Sequence, residues 1–215
     1  MVLLGILFTA QGSPAAEVIK LPAPARQGGM PLAEALEQRR TVRHFASRPL
    51  TLQQISQLLW GADGESDPRG LRTAPSAGAT YPLELYLAVG ERGVADLKPG
   101  VYRYRLGEHT LELVSRGDQR AALARASLHQ TWMAEAPVMV VIAAEYRRCT
   151  ARYGERGLRY THMEAGNVSQ NLFLQAEALG LGAGIVGAFD DTALALALGL
   201  PKAQEPLLVL PVGYK

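Results

Sequence analysis

The segment RRTVRHF, residues 39–45, places three arginines and one threonine within five positions. No acidic residue interrupts the segment, so its positive charges have no local counterpart. A guanidinium group presents planar N–H donors that suit phosphate oxygens, and a phosphate monoester would hold together cations that otherwise repel one another. The segment therefore indicates a phosphate site. It also follows a predicted helix over 31–40, where the macrodipole favours cations, so a simple charge cluster at a helix end is the alternative.

Two further segments combine small residues with glycine. TAPSAGATYP (73–82) sets small residues and a hydroxyl between two prolines, which predicts a rigid turn whose backbone can approach a flat ligand. GLGAGIVGAFDD (180–191) has Gly182, Gly184 and Gly187 around a predicted strand that leads into a helix, an arrangement that lets main-chain N–H groups face a ligand. Taken singly, the first is also typical of a tight loop before a strand, and the second of a helix end followed by a packing strand.

Length, composition and net charge exclude several classes of function. The chain has 215 residues, of which 48% are hydrophobic and 20% charged, which suits one domain with a single sizeable core. A net charge of only +2 argues against a nucleic-acid binder or stable association with a membrane. The single cysteine, Cys149, excludes an internal disulfide and cysteine-based metal sites. The four histidines show no metal-ligand spacing, so no metal is expected, and no G-x-G-x-x-G follows a strand to support a Rossmann nicotinamide site.

The first 16 residues leave the cellular location open. Val2–Ala10 form a short apolar run followed by small residues, which resembles a signal peptide and is too short to span a bilayer. No Lys or Arg precedes the run, so the usual positive region is missing. A signal peptide would send the chain to the periplasm or beyond, and otherwise it would stay in the cytoplasm. A Pro/Gly-rich stretch predicts a linker over 17–30, before a body over 31–215.

The body alternates helical and strand patterns without a strict βαβ repeat, which predicts a single α+β domain with three layers. Helices are predicted over 31–40, after a Thr51/Gln54 capping box, from Asp118 to about Gln130, over 158–179 before Gly180, and from Asp190 or Asp191. Strands are predicted at 83–90, as a hairpin of 100–106 and 110–114, at 137–145, at 182–189 and at 206–213. The apolar run at 137–145 is typical of a strand buried on both faces.

Taken together and in this order, the motifs resemble the nitroreductase fold, and most closely its SagB/McbC-type dehydrogenase branch. The similarity extends from about Leu32 to Tyr214. It is carried by RRTVRHF, PSAGATYPLELYL, PGVYRYRLGEHTLELVSRGD, RYGERGLRYTHMEAGNVSQNLFLQAEALGLGAGIVGAFDD and LPVGY. The resemblance implies a central, mostly antiparallel sheet flanked by helices.

The resemblance also implies FMN bound tightly but without a covalent bond at the interface of a homodimer. The residues that match the family's phosphate and ribityl contacts are Arg39, Arg40, Thr41 and Arg43. Pro75, Ser76, Ala77 and Gly78 match a loop that contacts the flavin from the partner subunit. Gly187 and Ala188 match a segment whose backbone N–H groups point at flavin N5 and O4.

The segment RYGERGLRY (152–160) is expected to cover the substrate side, where the sequence departs from the azoline-oxidising members of the branch. Those members carry a Lys-Tyr pair that is thought to be catalytic, and this chain has Arg152-Tyr153. Arginine is not deprotonated in proteins, so Arg152 cannot act as a general base. Tyr153 could exchange a proton, with stacking or packing as the alternative. Asn167 stands where family members often have histidine, and Glu164 is expected to be a structural or flavin-edge residue.

The expected function is that of an FMN-dependent oxidoreductase, in which a small donor, for example NAD(P)H, reduces the flavin and a small acceptor then reoxidises it. One alternative is the dehydrogenation of a peptide azoline to an azole beside a cyclising partner, against which the Arg152 substitution argues. A second, from another class, is a flavin-binding or interaction module without catalysis, suggested by the absence of a clear acid–base group in the motifs.

Overall fold

The computed structural model describes residues 17–215, so the signal-peptide prediction for 1–16 lies outside the described residues. Within this range the strands are β1 (Val18–Lys20), β2 (Leu83–Val89), β3 (Gly100–Arg105), β4 (Thr110–Arg116), β5 (Val138–Ala144), β6 (Leu181–Ala183) and β7 (Glu205–Tyr214). The α-helices are α1 (Leu32–Gln38), α2 (Leu52–Asp63), α3 (Arg120–Ala126), α4 (Arg147–Tyr153), α5 (Arg156–Ala178) and α6 (Asp191–Leu198).

The strands form one antiparallel sheet in the order β1-β4-β3-β2-β5-β7-β6, with a hydrophobic core on each face. Alternate residues of β2 supply the two cores, with Leu87 on the face covered by α2 and α5 and Tyr86 on the face covered by α3 and α6. The three-layer α+β prediction is therefore confirmed.

The central strand β5 and the long helix α5 follow their sequence patterns closely. Every residue of β5 is buried, as expected of a strand covered on both faces. Helix α5 extends over 23 residues, and Gly180 adopts a φ of +69° just beyond its end, a conformation that glycine takes without steric cost. The hairpin prediction is also confirmed, since β3 and β4 pair through a short turn at 106–109.

Three local predictions differ from the structure. The helix predicted from Asp118 to about Gln130 is shorter: α3 begins after Gln119 and ends at Ala126, and the Asp118 carboxylate accepts from both the backbone N–H and the side chain of Arg120. The linker expected over 17–30 contains strand β1, and the stretch after it is held to the body where Ala25 N–H donates to Gln57 Oε1 at 2.8 Å. Strand β6 is shorter than 182–189 and ends at residue 183.

Across residues 17–215, no helix has both the length and the apolar character needed to cross a membrane. The same residues contain no group of three or more His, Cys, Asp or Glu side chains arranged to hold a metal ion.

The capping box at the start of α2 provides a test of local stability. The Thr51 hydroxyl accepts from Gln54 N–H at 3.1 Å, and the Gln54 side chain accepts from Thr51 N–H at 2.9 Å. We expect Thr51→Ala to lower the free energy of unfolding by about 1 kcal/mol, since it removes the side-chain half of this pair. Urea denaturation measures the loss. Thr51→Ser, which keeps the hydroxyl, should stay close to the wild type, and equal losses in both variants would contradict the capping explanation.

Candidate functional site

The arginine segment leaves α1 and lies against the edge strand β6. Val42 N–H donates to Ala183 O at 2.8 Å, next to a parallel bridge between Thr41 and Ala183. A Cβ atom at Gly182 would lie 2.7 Å from a Val42 methyl group, and one at Gly184 would lie 2.7 Å from the Trp132 ring. These two glycines therefore allow the segment to pack closely on the sheet, a role different from the ligand-facing one expected from the sequence.

The three arginine side chains of this segment have no carboxylate partner among the described residues, whereas His44 Nδ1 lies 3.8 Å from Glu135 Oε2. Arg39 lies over the Phe173 ring with its guanidinium carbon 5.3 Å from the ring centroid, and Arg43 lies over Trp132 at 5.8 Å. Arg40 donates to the backbone oxygen of Glu37 at 2.7 Å. Aromatic and backbone contacts orient the guanidinium groups without neutralising them, so they are available to a bound anion.

The loop at 75–78 has an unusual backbone. Gly78, Ala79 and Tyr81 have φ angles of +57°, +52° and +45°, the left-handed region that residues other than glycine rarely adopt. The Ser76 hydroxyl accepts from Tyr81 N–H at 3.0 Å and closes the turn. The sequence prediction of a rigid turn is consistent with this geometry.

The structure brings Arg152 and Tyr153, at the end of α4, onto this loop. Arg152 donates to Gly78 O at 3.1 Å, and a Cβ atom at Gly78 would overlap the Tyr153 hydroxyl. The Tyr153 ring packs edge-on against Tyr160, with the centroids 5.2 Å apart. The Arg152 side chain therefore holds the loop by a hydrogen bond to the loop backbone, and the Tyr153 hydroxyl lies at the loop surface.

Gly187 and Ala188 are exposed, between β6 and α6. Neither backbone N–H donates a hydrogen bond within residues 17–215, whereas the neighbouring Val186 N–H pairs with Val209 O at 2.8 Å. Two consecutive exposed N–H groups without a partner among the described residues suit a ligand with acceptor atoms.

The two halves of the predicted site lie at different levels of α5. Arg39 contacts Phe173, and the 75–78 loop lies near Glu164, which the Ser76 hydroxyl approaches. Nine residues of helix separate these positions, about 13 Å at 1.5 Å per residue. No hydrogen bond joins residues 39–43 to residues 75–78 among the described residues. A ligand that contacted both segments of one chain would have to extend over this distance.

Under the 75–81 loop lies a buried charge cluster that sequence reasoning did not find, consisting of Asp63, Arg72 and Glu164. Arg72 donates to Asp63 Oδ2 at 2.7 Å and stacks over the Tyr81 ring at 4.0 Å. Asp63 is 1% exposed and Glu164 2%. Asp63 Oδ1 and both Glu164 oxygens make no hydrogen bond of normal geometry within residues 17–215, although the Ser76 hydroxyl lies close to Glu164.

Burial controls the ionisation of this cluster. Loss of hydration raises the pKa of Asp63 to about 7, against the opposing pull of the Arg72 cation, and the nearby Glu164 and Glu84 carboxylates raise it further. Burial also raises the pKa of Glu164, while the Ser76 hydroxyl and Arg72 lower it. The sequence shows only that each of two predicted helices contains an acidic residue. Asp63 and Glu164 come together because α2 packs against α5.

The contact at Gly78 can be tested directly. We expect Gly78→Ala to lower the free energy of unfolding by about 2 kcal/mol or more and to displace Tyr153, because the new methyl group adds a clash to the strain of a positive φ. Gly180→Ala serves as control, since Gly180 also has a positive φ, of +69°, but open space around its Cβ position. Denaturant unfolding and Tyr153 fluorescence or NMR shifts provide the readouts. Equal effects in the two variants would contradict the proposed contact.

Asp63 predicts a pH dependence of stability. Its pKa is about 7 in the folded chain and about 3.9 in an unfolded one, so between these values the folded state binds the extra proton. The contribution of Asp63 to stability therefore falls as pH rises from about 4 to 7 and is constant above that range. We expect Asp63→Asn to be less destabilising at pH 8 than at pH 5, by roughly 1–3 kcal/mol. A pH-independent difference in unfolding free energy between wild type and variant would contradict this assignment.

Comparison with known proteins agrees with this architecture. The Nitroreductase family profile matches residues 36–214. MJ1384 of Methanocaldococcus jannaschii, named as a nitroreductase, is 46% identical over 184 residues, which cover 86% of this chain and 91% of that protein. A crystal structure of a protein from Ralstonia eutropha, also named as a nitroreductase, superposes with a TM-score of 0.82 at 31% identity, covering 99% of this chain and 96% of the other.

A more distant similarity concerns peptide maturation. The microcin B17-processing protein McbC of Escherichia coli is 27% identical over 165 residues, 74% of this chain and 61% of McbC. A chain of the E. coli microcin synthetase McbBCD complex, with truncated pro-MccB17 bound, superposes with a TM-score of 0.71 at 23% identity, covering 98% of this chain and 84% of the other, a likeness in fold. The profile match over most of the chain and the 46% identity to MJ1384 together show that this chain belongs to the nitroreductase family of oxidoreductases.

Proposed function

We propose that the protein is an FMN-dependent oxidoreductase that transfers a hydride between a small donor and a small acceptor, which use the same pocket in turn. The observation that carries this proposal is the arginine segment, whose guanidinium groups lack carboxylate partners in the part of the chain that the structure describes. A phosphate monoester is the anion that best matches such a group of planar donors, and nitroreductases are generally flavin-dependent.

The residues present fit FMN by the chemistry of their donors. Arg39, Arg40, Arg43 and the Thr41 hydroxyl would bind the phosphate and the ribityl chain. The free N–H groups of Gly187 and Ala188 would donate to the polar edge of the flavin. When bound, FMN supplies hydride transfer at N5, a chemistry that requires no protic catalyst from the protein.

We also propose that the protein is a homodimer, as the family resemblance implies, and that residues 39–43 and 75–78 at one flavin come from different subunits. In this proposal Pro75, Ser76, Ala77 and Gly78 of one subunit reach the flavin held by the other. Exposed apolar side chains on α1 and α5 support a subunit contact, namely Leu32 (65% exposed), Leu36 (53%), Leu158 (42%) and Met163 (58%).

The residues of α4 would then shape the substrate side. Arg152 remains protonated and holds the loop through Gly78 O, so it positions the loop and removes no proton. The Tyr153 hydroxyl at the loop surface is the group that could donate a proton to an acceptor. NAD(P)H is a reasonable donor that would dock transiently over the flavin.

Similarity to McbC favours a second candidate, the oxidation of a peptide azoline to an azole. Arg152 stands where the azoline-oxidising proteins carry a lysine, and a guanidinium group that stays protonated offers no neutral nitrogen to accept a proton. An azoline-containing peptide that is oxidised at a rate comparable to NAD(P)H would favour this candidate. A protein that oxidises NAD(P)H and leaves azolines unchanged would exclude it.

One experiment separates these functions from mere flavin binding. The purified protein is saturated with FMN, its visible spectrum is recorded, and it is mixed without oxygen first with NADH or NADPH and then with a quinone or a nitroarene. We expect bleaching by the donor and recovery of colour with the acceptor. Protein that gains no flavin spectrum with FMN would contradict the proposal, and bound flavin that no donor bleaches would leave only a binding module.

The phosphate assignment predicts the effect of removing two cations. We expect Arg39→Ala with Arg43→Ala to weaken FMN binding at least a hundredfold, because each charged hydrogen bond contributes roughly 1.5–3 kcal/mol. Arg125→Ala with Lys202→Ala removes the same charge from exposed positions and should leave affinity unchanged. Flavin fluorescence quenching measures both. A doubly substituted protein that still binds FMN with the wild-type affinity would show that the phosphate lies elsewhere.

A further inference from the structure

The charge balance of the cluster formed by Asp63, Arg72 and Glu164 is unusual for a protein interior. Two carboxyl groups, 1% and 2% exposed, share one arginine, whose side chain is 15% exposed. Of the four carboxyl oxygens, only Asp63 Oδ2 has a hydrogen-bond partner of normal geometry within residues 17–215. Two buried carboxylates beside one cation leave an uncompensated negative charge, which a bound proton removes at lower cost than burial of the ion.

A polar cavity connects this cluster to solvent. It has a volume of about 330 Å³ and is lined by Asp63, Arg72, Glu84, Arg103 and Glu108, among others. Glu84 is already satisfied by two arginines, since its oxygens lie 3.0 Å from Arg103 and 2.7 Å from Arg148. Unlike Glu84, Asp63 therefore has a carboxyl oxygen in this wall that is free to bind a proton. The cavity gives water a route to it.

The cluster is also linked to the loop above it. Arg72 stacks over the Tyr81 ring at 4.0 Å, and Tyr81 N–H donates to the Ser76 hydroxyl, which approaches Glu164. Asp63 faces Arg72, Glu84, Glu164 and Tyr104. Glu164 faces Ser76 and Arg72. A negative charge placed at Ser76–Gly78 would thus act on Glu164 beside it, and on Asp63 through Glu164 and Arg72, in poorly solvated surroundings.

We propose that Asp63, Arg72 and Glu164 form a proton-holding site that takes up a proton from solvent when negative charge is added at the 75–78 loop. This rests on the proposed function for the source of that charge. A donor that gives up a hydride places two electrons and one proton on the flavin and leaves with one more positive charge. The flavin side gains one negative charge, which a solvent proton on a carboxyl oxygen of the cluster balances. Return of the hydride to an acceptor releases that proton.

The first arm of the test uses the protein without flavin. Carboxyl groups are labelled with ¹³C and titrated by NMR in the wild type and in the variants Asp63→Asn and Glu164→Gln. We expect one carboxyl resonance to titrate near pH 7 in the wild type and to be absent in Asp63→Asn. In Glu164→Gln it should shift down by at least one pH unit, because Arg72 then serves a single carboxylate. An Asp63 resonance that titrates below pH 5 in the wild type overturns the proposal.

The second arm uses protein saturated with FMN and reduced photochemically at pH 7.5, with proton uptake followed by an indicator dye. We expect the wild type to take up more protons per two electrons than either variant. Glu108→Gln, a change in an exposed carboxyl of the same cavity, should match the wild type. Equal uptake in all four proteins overturns the coupling. A protein in which Asp63 titrates near pH 7 but which does not bind FMN contradicts the proposed function and the coupling that rests on it. A protein that binds FMN but in which Asp63 titrates below pH 5 contradicts this inference alone.

Discussion

The uncompensated positive charge of Arg39, Arg40 and Arg43 is the constraint on which the account of the site depends. Cations that lie close together without acidic partners repel one another and destabilise the fold. A bound anion offsets this repulsion. Aromatic and backbone contacts hold the guanidinium groups in place and do not neutralise their positive charge. A phosphate group is the simplest partner, and in the function that we propose FMN carries it.

The sheet edge determines where that charge lies. Gly182 in strand β6 and Gly184 just after it lie where side chains would collide with Val42 and Trp132, so the arginine segment can lie directly on the sheet. The chain continues beyond β6 to Gly187 and Ala188, whose N–H groups donate no hydrogen bond within residues 17–215. The hydrogen bond from Val42 to Ala183 fixes the arginine segment at this edge of the sheet. The 75–78 loop is fixed separately, by Arg152 from above and by the buried cluster from below.

Features that depend on local pattern were predictable from the sequence. The buried run of β5, the capping box of α2 and the glycine after α5 each follow from neighbouring residues alone. The motif order predicted the fold class, and the arginine segment was visible as a charge run. The helix predicted from Asp118 begins two residues later, at Arg120, whose backbone N–H and side chain both bind the Asp118 carboxylate. Strand β1 has three residues and exists through its pairing with β4, so no periodicity could show it. The meeting of Asp63 with Glu164 depends on helix packing across the chain, which no motif records.

The central claim, that the arginine segment binds the phosphate of a mononucleotide, is tested most directly by comparing the affinities of FMN and riboflavin, which differ by that phosphate. Calorimetric titration at low and moderate salt gives both dissociation constants. The account predicts that FMN binds at least a hundredfold more tightly than riboflavin, and that this preference weakens as salt rises. Equal affinities for the two flavins, or a preference for riboflavin, would contradict it.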